Sequence, residues 1–344
     1  MEEEINSHPK KKRKLWMFII ILFLIGVFSL FFFKAGFTIS KVIDKKNSPN
    51  SSLPFADNLP ELPKKDADRL NILLLGVRGP DDPGEGKLLS DTIILLSIKK
   101  SNNQIALISL PRDLYVQLWC SEEKKKINFA YAQGGFDCAK KTVSYLTSLY
   151  IDYTAVVDFE ALEKTVDVLG GISVYLKNPF EESFQWAREG WEEDEHWFIK
   201  EIDGEEKWVF HLERGENFLD GKTTLYYVRS RYSTNDFDRM LRQQQVLIAL
   251  KEKALSLGVL ANPIKIYNLL DILGKHLRTD AGLNNIKDLI SVASKLDVNN
   301  IKRRIFDISE GGLLYHTFIN EEYVLLPIGD NFEQIQEACK NIFN

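Results

Sequence analysis

The chain has 344 residues, 44% of them hydrophobic, and a formal net charge of −5, which suits a folded protein with a sizeable core and not a disordered one. Residues 1–46 carry nine Lys/Arg against four Asp/Glu, so residues 47–344 carry a net −10, a balance that argues against a nucleic-acid partner. Its three cysteines, Cys120, Cys138 and Cys339, make no CxxC or Cys/His ligand spacing, which argues against a zinc site.

Residues 1–14 end in Lys10-Lys-Lys-Arg-Lys14, and an uncharged apolar run from Leu15 to Phe33 follows at once. At about 19 residues the run is long enough to cross a bilayer, and no small-x-small cleavage site follows it. The basic flank predicts a cytoplasmic amino end. The expected organisation is a cytoplasmic tail over 1–14, a retained transmembrane helix over 15–37, a polar, proline-bearing linker over 38–68, and an extracytoplasmic domain over 69–344. A nuclear-localisation reading of the basic run leaves the adjoining apolar run unexplained. Outside the cytoplasm a disulfide is permitted. Cys120 and Cys138 flank a hairpin-like excursion, and whether they pair is a matter of geometry; Cys339 reads as a buried small residue.

The domain opens with Leu70-Asn-Ile-Leu-Leu-Leu-Gly76, an apolar run that reads as a buried central strand, as do Thr92 to Ile98 and Ile105 to Leu110. Gln133 to Tyr150 and Glu160 to Leu169 read as helices, and Ile172 to Leu176 as a strand after the Gly170-Gly171 break. This alternation predicts an α/β fold, one domain with a mixed central sheet flanked by helices. Residues about 180–210 set Trp186, Trp191, Trp197 and Trp208 among acidic residues. They read as a mini-core under a surface excursion, with a sugar-stacking surface as the alternative. Beyond them the pattern predicts helices at Pro263 to His276 and Leu283 to Leu296, strands at Ile301 to Ile308 and Tyr323 to Pro327, and a closing helix from Phe332 to Ile342.

The chemistry concentrates between Tyr227 and Gln243. Thr223 to Arg231 reads as a strand, rich in β-branched and aromatic residues, with Arg229 and Arg231 on one face. Asn235 or Asp236 then caps a helix running to about Gly258. On it Asp236, Arg239 and Gln243 share one stripe, with Arg242 off it. Strand and helix thus aim guanidinium groups at a common point beside a helix N-terminus, a design for phosphate or diphosphate. Arg112, in Ser109-Leu-Pro-Arg-Asp113, emerges at a strand end, where ligands of α/β sheets gather. Asp91, in Ser90-Asp-Thr92, opens a buried strand where packing explains an acid poorly. The loop from Gly76 to Lys87 carries Asp81, Asp82 and Glu85, and its glycine spacing is wrong for a phosphate loop. For any one of these residues an ordinary ion pair is the competing explanation. No Gly-x-Ser-x-Gly is present, and His196, His211, His276 and His316 have no triad-like or metal-like spacing.

Together these segments resemble the LytR–CpsA–Psr family of membrane-anchored cell-wall ligases over residues 70–257. The matching pieces include Leu73-Leu-Leu-Gly76, Ser90-Asp-Thr92, Ser109-Leu-Pro-Arg-Asp113, Lys126-Ile-Asn128, Val168-Leu-Gly-Gly171, Leu219-Asp-Gly221 and the Arg-x-Arg…Asp-x-x-Arg-x-x-Arg-Gln corner. The resemblance implies transfer of a glycopolymer from a polyprenyl-diphosphate carrier to a peptidoglycan hydroxyl, releasing polyprenyl phosphate. It implies diphosphate binding by Arg112, Arg229, Arg231 and Arg239 with Arg242 and Gln243 nearby, and an apolar pocket for the lipid bordered by the Val246 to Leu257 helix. It also implies a magnesium ion held by Asp91 and a second aspartate. Where the family commonly has that aspartate this chain has Arg78, so either Asp81 or Asp82 substitutes, or Arg78 supplies positive charge in the metal's place. Asp236 orients arginines or ligand, and Asp113 is either a base for the acceptor hydroxyl or a buttress for Arg112. The rival readings are a polyprenyl-diphosphate hydrolase using the same site, and a non-catalytic envelope regulator.

Overall fold

Three of the apolar runs pair as antiparallel neighbours: Arg69–Val77 (β1), Thr92–Lys99 (β2) and Gln104–Ser109 (β3). The protein is described here by a computed structural model covering residues 61–79, 86–183, 194–282, 285 and 301–344. The expected anchor at 15–37, most of the linker, the acidic loop residues Asp81, Asp82 and Glu85, Trp186, Trp191, and all of the predicted Leu283 to Leu296 helix but Asn285 lie outside those residues. Among the described residues no helix is long and apolar enough to cross a membrane.

After β3 come Tyr115–Gln117 (β4), Lys124–Lys126 (β5), the helix Phe129–Thr147 (α1), Tyr153–Asp158 (β6) and Phe159–Leu169 (α2). Ile172–Leu176 (β7), Phe180–Glu182 (β8), Trp197–Ile202 (β9), Glu205–Leu212 (β10) and Gly215–Leu219 (β11) follow. Helices Gly221–Arg229 (α3), Asp236–Ala254 (α4), Leu257–Leu260 (α5) and Pro263–His276 (α6) come next. The described chain closes with Leu277–Thr279 (β12), Ile301–Ile305 (β13), Leu314–Ile319 (β14), Glu322–Pro327 (β15) and Glu333–Lys340 (α7).

The main sheet has six strands in the order β12-β6-β1-β2-β3-β13. β1 with β6 and β3 with β13 are parallel and the other pairs antiparallel, so the sheet is mixed, with helices on its faces as expected. Period-two alternation gives β1 two different faces. Leu73 and Leu75 join Leu95 and Ile108 in a buried core covered by Phe136, Val143 and Leu146 of α1 and Ile335 of α7. On the opposite face Leu74 pairs with Ile94 and Ala155, and Gly76 with Thr92 and Val157. Small side chains there leave room above the sheet, and a Cβ on Gly76 would sit 2.9 Å from Thr92 Cβ.

One expected strand is a helix. Thr223 to Val228 is β-branched and aromatic, yet it lies in α3. Asp220 caps that helix by accepting from the Thr223 N–H at 2.7 Å. The Gly221 N–H donates to Asp167 Oδ1 of α2 at 2.8 Å, and a Cβ on Gly221 would sit 2.2 Å from the Glu163 carbonyl oxygen. The cap and the close helix contact outweigh local strand propensity, which is a weak preference. The next helix starts where expected, with Asn235 accepting from the Asp238 N–H at 2.9 Å, but it ends at Ala254 and α5 occupies the Gly258 region. β6, β9, β10 and β14 are strands that the sequence reading did not single out.

Cys120 and Cys138 are disulfide-bonded, tying the β4–β5 excursion to α1. Gly134 and Gly135 kink α1 there, and a Cβ on Gly134 would crowd Cys138 Cβ at 2.5 Å and Cys120 Sγ at 2.9 Å. Cys339 is buried with a free thiol, whose pKa burial pushes up to about 12. Trp197 packs between Phe210 and Tyr226, with ring centroids at 5.3 and 5.1 Å, so the described part of the tryptophan-rich excursion is a mini-core.

Candidate functional site

A cavity of about 560 Å³ opens between the sheet face of Leu74 and Gly76 and the helices α2 and α4. Its two ends differ in chemistry. One end is apolar, walled by Leu74, Ala155, Leu162, Val246, Leu247 and Leu250. The other carries five arginines, Arg78, Arg112, Arg229, Arg231 and Arg239. Such a volume suits a ligand with an apolar body and a strongly anionic head.

Asp91 organises the charged end. Arg112 Nη1 donates to Asp91 Oδ1 at 2.5 Å, and Arg78 Nε lies 3.5 Å from Oδ2. Arg239, from α4, donates through Nη2 to the Asp91 main-chain carbonyl at 3.1 Å and pairs with Asp236 Oδ1 at 2.7 Å. On the far side of Arg112, Asp113 lies 3.6 Å from Nε and 3.2 Å from Lys126 Nζ. Asp113 is therefore placed as a buttress, with Arg112 and Lys126 on its two oxygens.

Arg239 is buried, and burial, reinforced by the like charges of Arg112 and Arg231, holds its pKa below the usual guanidinium range. Burial pulls Arg112 the same way, but Asp91, Asp113 and Asp236 outweigh it and raise its pKa. Positive charge has thus been gathered at some cost, and a bound polyanion would relieve it. Arg229, the last residue of α3, and Arg231, two residues beyond it, lie over aromatic rings: Arg229 over Phe159 at 4.4 Å and Arg231 over Tyr232 at 5.3 Å.

The structure brings six of the anticipated residues to this cavity, while Asp113, Asp236 and Arg242 do not line it. Arg112, Arg229, Arg231, Arg239, Gln243 and Asp91 line it. Gln243 donates weakly to the Val228 carbonyl at 3.4 Å, and its buried Oε1 lacks a hydrogen-bond partner. Asp236 and Asp113 stand behind the arginines. Arg242 departs from the expectation of a ligand contact. It turns away from the cavity, donates to the Tyr227 carbonyl at 2.9 Å, and binds the Ser230 carbonyl and Thr234 Oγ1 as well. Its guanidinium stacks on Phe180 at 4.8 Å. It holds the α3–α4 turn in shape.

Among the lining residues that the sequence reading did not single out are Asp158 and Phe159. Asp158 caps α2 through the Ala161 N–H at 2.8 Å and pairs with His276 Nδ1 at 2.9 Å. The readable signal was the alternating Tyr153 to Val157 run ending in a capping aspartate.

Magnesium commonly takes one or two carboxylates and completes its shell with substrate phosphates and water. Asp91 offers one such carboxylate at the cavity, since Oδ2 has Arg78 at 3.5 Å, beyond a short contact. Asp82 is outside the described residues, and no group of three acidic, histidine or cysteine side chains among the described residues is set to hold a metal. Among the described residues Asp91 is the carboxylate at the arginine end that a magnesium held largely by substrate phosphates would meet, with Arg112 on its Oδ1 and Arg78 near its Oδ2.

The LytR_cpsA_psr family model matches residues 28–341. A polyisoprenyl-teichoic acid–peptidoglycan teichoic acid transferase, TagU of Bacillus cereus, is 29% identical over 74% of this chain and 75% of its own length. The corresponding transferase TagT of Bacillus subtilis strain 168 is 27% identical over 99% of this chain and 98% of its own. The crystal structure of B. subtilis TagV superimposes with a TM-score of 0.58 at 25% identity, covering 80% of this chain and 98% of that one.

Proposed function

The chain belongs to the LytR_cpsA_psr family, and from that premise we propose that it transfers a glycopolymer from a polyprenyl-diphosphate carrier to peptidoglycan. The observation that carries the reading is the single cavity with five arginines at one end and apolar walls at the other. The diphosphate lies against the arginines and the prenyl chain follows the apolar walls toward Leu250. The named transferases among its relatives supply the substrate class.

In the reaction an acceptor hydroxyl oxygen forms a bond to the phosphorus that bears the glycopolymer. The bond from that phosphorus to the bridging oxygen breaks, and polyprenyl phosphate leaves with the electron pair. The hydroxyl proton passes to a carboxylate beside Arg112, and Asp113 is the one next to the β14–β15 hairpin. Arg112, Arg229, Arg231 and Arg239 together hold the two phosphates and neutralise the charge that grows on the leaving one. Preplaced donors of this kind supply most of the rate enhancement in phosphoryl transfer, where the protein has little covalent chemistry to perform. Asp236 and Asp113 keep Arg239 and Arg112 in position. Magnesium, when bound at Asp91, would add positive charge to the same phosphate oxygens.

The proposal includes the membrane. The apolar run Leu15 to Phe33 and its basic flank support a single-pass anchor over 15–37, the amino end inside and residues 69–344 outside. An anchored enzyme would meet a lipid carrier that never leaves the bilayer. Incubating the full chain with lipid-linked donor, with and without peptidoglycan, tests the reading. Polyprenyl phosphate release that depends on peptidoglycan supports transfer, and release at the same rate without it indicates hydrolysis.

A further inference from the structure

The hairpin β14–β15 stands apart from the main sheet as its own two-stranded unit. Its loop, Asn320-Glu321, has both residues at positive φ, 50° and 66°, the tight two-residue turn that gives a hairpin a set twist. Register puts Leu314, His316 and Phe318 on one face with Pro327, Leu325 and Tyr323. At the inner end of that face Leu314 and Leu325 are buried in the main core. At the outer end the same face is aromatic and in solvent. His316 stacks on Tyr323 at 5.8 Å and 18°, and Phe318 meets Tyr323 edge-on at 6.0 Å. Phe318 is 65% exposed and Tyr323 38%. Aromatic groups clustered and left in water mark a binding surface more often than a packing accident.

The cluster is joined to the reaction site. The Leu325 N–H donates to the Asp113 carbonyl at 2.9 Å, directly beside Arg112. Lys126 links Asp113, at 3.2 Å, to Glu322 of the hairpin at 4.0 Å. Partial burial, then the fields of Asp113 and Asp236, push the Tyr323 phenol up. Asp113, Asp236 and Tyr323 do not line the cavity, and Arg112 meets Asp91 of the cavity wall through Nη1 and Asp113 through Nε. In-line displacement requires the attacking hydroxyl to arrive opposite the leaving polyprenyl phosphate. An acceptor held on the hairpin would reach Arg112 past Asp113 without entering the lipid volume.

We propose that the outer face of β14–β15, His316, Phe318 and Tyr323, is the docking platform for the peptidoglycan glycan strand that accepts the polymer. The proposal rests on the transferase reading above. Pyranose rings present an apolar C–H face that stacks on aromatic rings, and hydroxyls that donate to carboxylates. The platform supplies both, with Asp113, Asp236 and Glu322 at its edge. The same carboxylates disfavour an anionic glycopolymer, so the donor's polymer is not the occupant.

The test uses the full chain in detergent micelles with labelled lipid-linked donor and purified glycan strands as acceptor. The variant Phe318→Ser/Tyr323→Ser should raise the acceptor KM about tenfold, while donor Kd and the melting temperature hold. Phe318→Trp, which keeps an aromatic face, should retain the wild-type acceptor KM. An unchanged acceptor KM in the double variant overturns the platform, as does a change that tracks lost donor affinity or a lost fold. Direct titration with glycan strands alone separates the two readings. If the wild type binds strands through this face yet transfers nothing, the platform stands and the transferase reading falls. If transfer proceeds and the variant keeps its KM, the reverse holds.

Discussion

Asp91 and Arg112, 21 residues apart in sequence, meet at 2.5 Å, and the main chain of the same aspartate receives Arg239 from α4. One residue at the mouth of β2 thereby sets the spacing of two guanidinium groups, the half-buried Arg112 and the buried Arg239 of α4. The charged end of the cavity is a built arrangement, and its parts can be removed separately.

Arg112→Ala and Arg239→Ala should each lower kcat/KM for transfer by roughly 10²- to 10³-fold, the scale for losing one preplaced donor to a developing anion. Arg239→Lys should not restore it, because Nη2 alone meets both Asp236 and the Asp91 carbonyl, and a lysine has no second nitrogen to offer the diphosphate once those two contacts are made. Steady-state kinetics with lipid-linked donor checks both.

Arg242→Ala should act on stability instead. It would leave the Tyr227 and Ser230 carbonyls unpaired beneath Phe180, and breaking a buried charged hydrogen-bond set of this type costs about 2–4 kcal/mol. Urea melts should show the loss, with activity per folded molecule much less affected than in Arg239→Ala.

Closing the apolar end should separate lipid from head group. Ala155→Trp places a large ring above the sheet where small side chains leave the cavity open. The KM for a long-chain donor should rise by about tenfold or more, while a donor with a very short prenyl chain is turned over nearly as before.

On the proposed reading Arg78 sets the demand for metal. It stands 3.5 Å from Asp91 Oδ2, supplying positive charge where a second carboxylate would otherwise recruit a cation. Arg78→Asp should make donor binding more dependent on magnesium, a several-fold change in affinity on chelation that calorimetry with and without EDTA would measure. Equal dependence in wild type and variant would remove Arg78 from this role.

Two buried acids predict an alkaline limit to stability. Burial pushes the Cys339 thiol from 9.0 to about 12 and the Tyr227 phenol from 10.0 to about 12. The folded state keeps both protons at a pH where the unfolded chain has begun to lose them. Above about pH 9 the unfolded state therefore binds fewer protons, and stability falls as pH rises toward about 12. Melts of wild type and Cys339→Ser between pH 8 and pH 11 should diverge in slope.

Much of the site was legible because α4 obeys helical period. Asp236, Arg239 and Gln243 were expected on one stripe; Arg239 and Gln243 face the cavity, and Asp236 pairs behind Arg239. The three apolar runs of the central sheet were legible for the same reason, a long pattern with few alternatives. Where the reading failed, a distant contact decided. Thr223 to Val228 became helical through the Asp220 cap and the squeeze of Gly221 on α2. Arg242 sits next to Gln243 in sequence, but Phe180 and the Ser230 carbonyl, neither visible from local pattern, draw it away from the ligand. β14, whose aromatic face carries the proposed acceptor platform, alternates too briefly to stand out.

The most direct test follows labelled glycopolymer from lipid diphosphate into peptidoglycan, using the full chain and its Arg229→Ala/Arg231→Ala variant side by side. The account predicts phosphodiester-linked label in peptidoglycan, matched by released polyprenyl phosphate, and loss of both in the variant. Undiminished transfer by the variant would contradict it.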